Sequence, residues 1–394
     1  MTEQQGIQGQ EPPEEKPASQ REEKKQPLLS VRGLRRLYKE ESPKLFARPG
    51  YVHAVDGIDF DIWPGETLGL VGESGCGKST TGRLIAGIEE PTEGTVFYRG
   101  KDLYRMSREE KKSIRTQIQM IFQDSYASLN PRKRIYDILS EPMLYHRIAD
   151  REHVASRIDE LLEMVGLPEN AKRRYPNEFS GGQRQRIAIA KALSLNPSLI
   201  ICDEPVSALD MSIQAQILNL MKDLQDELGV SYLFIAHGLG AVHYISHRIS
   251  VMYLGKIVET GPGREVFSHP AHPYTKALIS AVPIADPSKP NDPNAIPSGE
   301  VPSAVNLPQG CRFASRCPFA EEKCRQTEPE LKLITSAGQK NLTESGNPPA
   351  DGNVKSTAGA EAPMEKKAVR KSAGENENVL SEHLAACYYA AGEL

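Results

Sequence analysis

Gly72-Glu73-Ser74-Gly75-Cys76-Gly77-Lys78-Ser79 fits the pattern G-x-x-x-x-G-K-[ST] without a gap. Leu68-Gly69-Leu70-Val71 before it reads as a buried strand, and Thr80 to Ile88 after it reads as a helix. That strand–loop–helix order is the context the motif needs. Glycines let the backbone wrap closely, so that N–H groups point at phosphate oxygens where the helix dipole favours negative charge. Lys78 is the expected cation for the β- and γ-phosphates, and the Ser79 hydroxyl the expected Mg²⁺ ligand. Gly72, Ser74, Gly75, Cys76, Gly77 and Thr80 complete the nucleotide-binding candidates on this loop.

A second apolar run, Leu199-Ile200-Ile201-Cys202-Asp203-Glu204, ends in two acids. Open α/β sheets place ligand-binding groups at the carboxyl ends of their strands. Asp203 is expected to position Mg²⁺, and Glu204 to orient and deprotonate an attacking water. Gln123 ends the strand-like run Gln119-Met120-Ile121-Phe122 and is expected to reach Mg²⁺ and that water. His237 follows Tyr232-Leu233-Phe234-Ile235-Ala236 and is expected to donate to the γ-phosphate. Ser180-Gly181-Gly182-Gln183 precedes a helix-forming stretch, Arg186 to Leu195, and a small turn at a helix N-terminus is an anion site. The phosphate loop already supplies one such site, so the second is expected to serve the ATP of a partner domain.

In this order along the chain, with Phe179 before the Ser-Gly-Gly-Gln turn and Ser207-Ala208-Leu209-Asp210 after the acidic pair, these segments resemble the nucleotide-binding subunit of ABC transporters. The likeness runs over roughly residues 28–280. It implies an α/β fold: a RecA-like core with an antiparallel β subdomain and an inserted helical subdomain at about residues 124–195. It also implies an ATPase working as a head-to-tail ATP sandwich, with Asp210 in a turn at the subunit boundary. Tyr38 lies where the family places an aromatic ring that stacks on adenine.

The likeness is closer to the second, F-type ATPase subunit of oligopeptide and dipeptide importers. It is carried by Ala54-Val55-Asp56-Gly57-Ile58, the phosphate loop through Leu84, Phe122 to Arg132, His272-Pro273-Tyr274-Thr275-Lys276-Ala277-Leu278 and the insertion from Lys39 to His53. Such a resemblance implies two transmembrane permease subunits, a second, D-type ATPase subunit and an extracellular or periplasmic peptide-binding protein as partners. Related importers carry nickel or glycosides, so cargo stays open between peptides and another small solute. One position departs from the pattern: the family usually has Asp after the switch histidine, and here it is Gly238.

Composition bounds these expectations. The chain has 394 residues and a net charge of −4, without a broad basic excess that would suggest nucleic acid. No run approaches ~18 consecutive apolar residues, so no membrane span is expected. The N-terminus lacks an apolar signal core. The expected location is the cytoplasmic face of the membrane, reached through partners. Residues 1–27 and 336–378 are polar, charged and poor in bulky apolar side chains, and are expected to be disordered. Between Ile158, Leu161, Leu162 and Val165 the apolar spacing is that of one helix face, before the break at Gly166-Leu167-Pro168.

Cys76 and Cys202 belong to the motifs above and are expected to be inert. Cys311, Cys317, Cys324 and Cys387 gather towards the C-terminus, spaced C-x5-C-x6-C with the fourth beyond the 336–378 stretch. In a chain of this class such a group points to metal more than to disulfides. Zinc ribbons usually have tighter pairs, and four thiolates at looser spacing suit a [4Fe–4S] cluster. Gly310-Cys311-Arg312-Phe313-Ala314-Ser315-Arg316-Cys317-Pro318 resembles the C-terminal extension of peptide-importer ATPases, which implies an iron–sulfur cluster of structural role. His383-Leu384-Ala385-Ala386-Cys387 looks like the end of the same module, formed by residues 281–335 and 379–394. Zinc and plain structural thiols remain the alternatives.

Overall fold

The structure, a computed structural model, describes residues 26–40, 50–124, 128–281, 302–334 and 382–392. Most of the tail 1–27, the stretch 336–378 and the greater part of the Lys39–His53 insertion lie outside these residues.

Among the described residues, twelve strands form two sheets. The first is antiparallel, in the order β2-β1-β4-β5, from β1 (Leu29–Lys39), β2 (Tyr51–Ile62), β4 (Glu93–Tyr98) and β5 (Lys101–Asp102). The second contains β3 (Thr67–Val71), β6 (Ile118–Ile121), β7 (Leu199–Asp203), β8 (Ser231–Ala236), β9 (Arg248–Tyr253), β10 (Lys256–Pro262), β11 (Lys332–Leu333) and β12 (Leu384–Ala385). Its order is β11-β12-β10-β9-β3-β8-β7-β6. Strands β9, β3, β8, β7 and β6 run parallel, and β10, β12 and β11 add an antiparallel edge.

Ten α-helices among the described residues surround the sheets. They are α1 (Lys78–Ile85), α2 (Arg108–Gln117), α3 (Ile135–Tyr145), α4 (Val154–Met164), α5 (Gly181–Leu193), α6 (Met211–Leu228), α7 (Leu239–Ile245), α8 (Gly263–Ser268), α9 (Pro273–Ser280) and α10 (Glu322–Gln326). The expected α/β core, antiparallel sheet and inserted helices are therefore all present.

Strand alternation sorts the core into two layers. Leu199, Ile201, Leu233 and Ile235 face the antiparallel sheet, where they meet Leu29, Val31, Ile58 and Ile62. Ile200, Cys202, Tyr232 and Phe234 face the other way and join the core of the helices α3 to α6. Parallel strands covered on both faces read as unbroken apolar runs, which is why β7 and β8 were visible in the sequence. Ile158, Leu161 and Leu162 of α4 and Val165 at its C-cap are fully buried, as their helical spacing predicts. Each such side chain contributes about 1.5–3 kcal/mol when removed from water.

Three boundaries differ from the sequence reading. β1, which the apolar alternation of the sequence predicts only over Leu28–Leu34, continues to Lys39, because register irregularities let Arg35, Arg36 and Leu37 keep pairing with β2. The helix after the phosphate loop stops at Ile85, not Ile88, where the Gly87 N–H returns to Leu84 O and the Ile88 N–H to Arg83 O. Helix α5 begins at Gly181 rather than Arg186, since Ser180 and Gln183 form a reciprocal capping box: the Gln183 N–H donates to Ser180 Oγ and the Ser180 N–H to Gln183 Oε1.

The C-terminal residues dock onto the core sheet. Strand β12 pairs with β10, Glu259 opposite Ala385 and Thr260 opposite Leu384. Fully buried Glu259 receives the N–H groups of Ala271 and His272, each at 2.8 Å, and lies 2.6 Å from His383 Nε2. A buried carboxylate without such donors would be strongly unfavourable. Arg312 reaches across to Asp56 of β2 and to the Leu254 carbonyl, and Arg35 Nε meets the second Asp56 oxygen at 2.7 Å. Burial pushes the Asp56 pKa up, but the hydrogen bond and charge of Arg312, with Arg35 and Lys256, outweigh it and hold the group below its ordinary value.

Arg312→Met should therefore destabilise the protein by about 3 kcal/mol, the lower end for a broken buried pair, because Arg35 still neutralises Asp56. The folded-state Asp56 pKa is depressed, so its contribution is present above the ordinary aspartate value of 3.8 and fades as pH falls through the depressed value. Urea unfolding of both proteins should show a full stability gap at neutral pH that closes in acid.

Candidate active site

The phosphate loop leaves β3 and enters α1 wedged between the two sheets. A Cβ added at Gly72 would lie 2.1 Å from the Met252 carbonyl oxygen of β9, and one at Gly77 would lie 2.0 Å from the Ala54 carbonyl oxygen of β2. Both obstacles are backbone, so no rotamer relieves them, and Gly77 also holds φ at 109°. The Gly255 N–H donates to Cys76 O at 2.9 Å and closes the wedge. Ser74 and Gly75 stand exposed at the loop tip, and Thr80 is half-buried in the first turn of α1.

Lys78 is buried and coiled back on its own loop: Nζ donates to Gly72 O at 2.7 Å and Glu73 O at 2.9 Å. Ser79 Oγ donates to Asp203 Oδ1 at 2.8 Å, which joins the loop to the end of β7. The Asp203 pKa is raised, first by burial and then by the neighbouring Glu204 charge, against the hydrogen bond from Ser79. Two adjacent oxygens with an under-compensated carboxylate are a donor set suited to a hard divalent cation.

Glu204 adopts φ 48°, a left-handed conformation unusual for a side chain of its kind, and its N–H donates to Ile235 O at 2.8 Å. Such strain costs about 1–3 kcal/mol and concentrates at functional sites. Gln123 Nε2 donates to Glu204 Oε2 at 2.8 Å. The structure thus brings Ser79, Asp203, Glu204 and Gln123 together from β3–α1, β7 and β6.

His237 is exposed just beyond β8. Gly238 is the N-cap of α7 with φ −90° and ψ 122°, and a Cβ there would meet nothing within 4 Å. Packing does not require glycine at this position. Asp210 caps α6, its Oδ1 accepting the Ile213 N–H at 3.0 Å. A Cβ at Gly182 would lie 2.5 Å from Ile213 Cγ2, so the signature turn packs directly on the start of α6. Tyr38, at the end of β1, donates its hydroxyl to Glu89, and the Arg36 guanidinium lies 4.6 Å over its ring. The expected adenine platform is thus already paired with a cation.

Sequence reasoning missed the groups that brace the loop from behind. The Glu73 N–H donates to Tyr274 Oη at 2.8 Å, and Arg316 donates to both Glu73 carboxylate oxygens, at 2.9 and 3.1 Å. His272, which caps α9 by accepting the Tyr274 N–H, is kept neutral by burial, its pKa pushed down to about 4. The segments containing Tyr274 and Arg316 stood out in the sequence, but nothing in their spacing pointed to the loop.

All six cysteines are free. Cys76 and Cys202 are buried and their thiols are pushed up by burial, consistent with inertness. Cys311, Cys317, Cys324 and Cys387 share one neighbourhood: burial pushes Cys311 up to about 12, and the other three thiols add to it. Cys387 is pushed up to about 11 by burial, with Cys317 and Cys324 adding. Backbone N–H groups of Phe313, Phe319 and of Tyr389 and Ala390 point at the sulfurs of Cys311, Cys317 and Cys387. Among the described residues, no three His, Cys, Asp or Glu side chains converge closely enough to hold a metal ion.

Known proteins share this arrangement. Residues 55–207 match the family described as ABC transporter, and residues 258–324 match the C-terminal region of oligopeptide/dipeptide transporters. The dipeptide transport ATP-binding protein DppF of Haemophilus influenzae is 49% identical over 309 residues, 78% of this chain and 94% of that protein. The oligopeptide transport ATP-binding protein OppF of Salmonella typhimurium is 51% identical over 314 residues, 79% of this chain and 94% of its own length. The dimeric structure of MJ0796, a bacterial ABC transporter cassette, superposes with a TM-score of 0.53 at 28% identity, covering 60% of this chain and 99% of the cassette. A phosphate loop wedged between two sheets, an acid pair at the end of β7 and relatives about half identical over more than three quarters of the chain lead to one conclusion: the chain belongs to the ABC transporter ATP-binding family, in its oligopeptide/dipeptide branch.

Proposed function

We propose that the chain is the ATP-binding and hydrolysing subunit that energises import of oligopeptides or dipeptides across the cytoplasmic membrane. The observation that carries the ATPase reading is the convergence of Ser79, Asp203, Glu204 and Gln123 beside the phosphate loop. The cargo reading is supported by relatives named for dipeptide and oligopeptide transport. In this reading residues 28–280 form the nucleotide-binding domain, with its helical subdomain at about 124–195, and 281–335 with 379–394 form the cysteine module.

Each residue then has a physical task. Lys78 leaves the Gly72 and Glu73 carbonyls for the β- and γ-phosphates. Ser79 and Asp203 would hold Mg²⁺, which when bound would supply positive charge against the phosphates. Glu204 takes the proton of the attacking water, Gln123 orients it through the contact the two side chains already make, and His237 donates to the γ-phosphate. Tyr38 stacks on adenine. Ser180, Gly181, Gly182 and Gln183, with Asp210 at the α6 cap, face the ATP of a second ATPase subunit. Two permease subunits and a peptide-binding protein complete the transporter. No helix among the described residues is long and apolar enough to cross a membrane. In this reading the permeases hold the chain at the cytoplasmic face.

The four late cysteines are the ligand set of a [4Fe–4S] cluster in this proposal. Their shared neighbourhood and the N–H groups aimed at three sulfurs support it, because such hydrogen bonds stabilise thiolate ligands. Ligation would require the four thiols to draw closer than they stand and to lose their protons on binding the iron.

Glu204→Gln in the reconstituted transporter should keep nucleotide binding and lower ATP hydrolysis by about 10²–10⁴-fold, with uptake of labelled peptide lost in parallel. Undiminished hydrolysis would remove Glu204 from its role, and uptake of a metal ion or sugar in place of peptide by the wild type would overturn the cargo. Anaerobic purification should give iron and sulfide in equal amounts, with about four of each per chain. Stoichiometric zinc, or no metal, would refute the cluster.

A further inference from the structure

A glutamate inside a phosphate-binding loop is electrostatically awkward. Glu73 places a carboxylate next to the residues that cradle an anionic ligand, and its own carbonyl is where Lys78 rests, at 2.9 Å. Its side chain is nevertheless held by a guanidinium that arrives from 243 positions further along the chain: Arg316 Nη1 and Nη2 grip the two Glu73 oxygens at 2.9 and 3.1 Å. The Arg316 side chain is 5% exposed and that of Glu73 25%.

The grip is built, not incidental. The Arg316 N–H returns to Phe313 O at 2.9 Å in a tight turn, and Phe313 is 1% exposed. Phe313 packs against both Tyr253 and Tyr274, with ring centres 5.4 Å away in each case, and the two tyrosine rings meet each other at 4.6 Å. Arg316 Nη1 also donates to Tyr253 Oη at 3.4 Å, and its guanidinium lies over both the Tyr253 and Phe313 rings, at 5.9 and 5.8 Å. Tyr274 meanwhile receives the Glu73 N–H at 2.8 Å. The same aromatic cluster thus fixes the arginine and the backbone of the residue it grips. A two-pronged arginine–carboxylate pair sets direction as well as charge.

We propose that Arg316 is a positioning residue of the ATPase, which neutralises Glu73 and holds its carboxylate away from the bound triphosphate. The C-terminal cysteine-bearing segment thereby forms the rear wall of the nucleotide site and sets its affinity for ATP. Without the guanidinium, Glu73 is a free negative charge beside the phosphates and the loop loses its rear anchor. The inference rests on the nucleotide site proposed above.

The test uses the full transporter in proteoliposomes, with ATP hydrolysis and binding of a fluorescent ATP analogue as readouts. Wild-type hydrolysis establishes the ATPase reading separately; its absence would overturn that reading. Arg316→Met should raise KM for ATP and the analogue's Kd about tenfold, with kcat changed less than about twofold. Adding Glu73→Gln to Arg316→Met should bring KM back to within about threefold of wild type, because the unshielded charge is gone. An unchanged KM in Arg316→Met overturns the proposal. So does a double variant no better than the single one, since the arginine would then only prop up the fold. Should Arg316→Met fail to fold, Arg316→Lys keeps the charge but not the fork. It should raise KM about three- to fivefold, and a wild-type KM there would equally overturn the proposal.

Discussion

The wedge that holds the phosphate loop constrains everything around it. Gly72 lies against the β9 backbone and Gly77 against the β2 backbone, so close that any side chain at either would strike a carbonyl oxygen. The loop's curvature is therefore set by the spacing of two sheets that share no strand. That spacing is in turn set by the apolar layer between them, where Leu68, Leu70, Leu84, Leu233 and Ile235 meet Leu29, Val31, Ile58 and Ile62. A close-packed layer of this kind transmits displacement rather than absorbing it. The position of backbone N–H groups at a phosphate site thus depends on side chains far from any phosphate.

The same geometry delivers the acids. Strands β3, β8, β7 and β6 run parallel, so their carboxyl ends lie on one side. The phosphate loop, His237, Asp203 with Glu204, and Gln123 follow those ends in turn. Ser79 and Asp203 touch because β8 separates β3 from β7 while α1 carries Ser79 over it. The left-handed turn at Glu204 is part of this arrangement: its N–H is committed to Ile235 O of β8, which fixes where the carboxylate can stand and allows Gln123 to meet it.

The C-terminal segment is joined to this core by charge as well as by apolar packing, in which Phe313 enters the main core and Ala385 and Ala390 meet Ala271. Asp56 with Arg312, Glu73 with Arg316, and Glu259 with His383 are three carboxylates of the core, each answered by a cationic or ring-nitrogen donor from residues 312–383. A buried carboxylate that loses its donor is costly, whereas the same pair in water contributes little. Strand β12 adds a short ladder to the edge that β10 would otherwise leave.

Local chemistry was legible where one segment carries its own meaning. The phosphate loop, the apolar runs of β7 and β8 and the buried face of α4 are periodic or motif-bound, and they appear where the sequence puts them. Boundaries governed by partners were not: β1 continues because β2 pairs with it, and α5 starts early because Ser180 and Gln183 cap one another. The sequence by itself determined which residues are the candidates to bind phosphate, hold a hard cation and move a proton, because the chemistry that nominates them belongs to side chains in a short stretch. Only the tertiary structure decided that Arg316 and Tyr274 hold Glu73, that Arg312 answers Asp56 and that β12 completes the sheet. Those contacts join residues far apart in the chain, and their pairing is selected by which buried charge is left without a partner once the two sheets have packed, a condition that no local pattern contains.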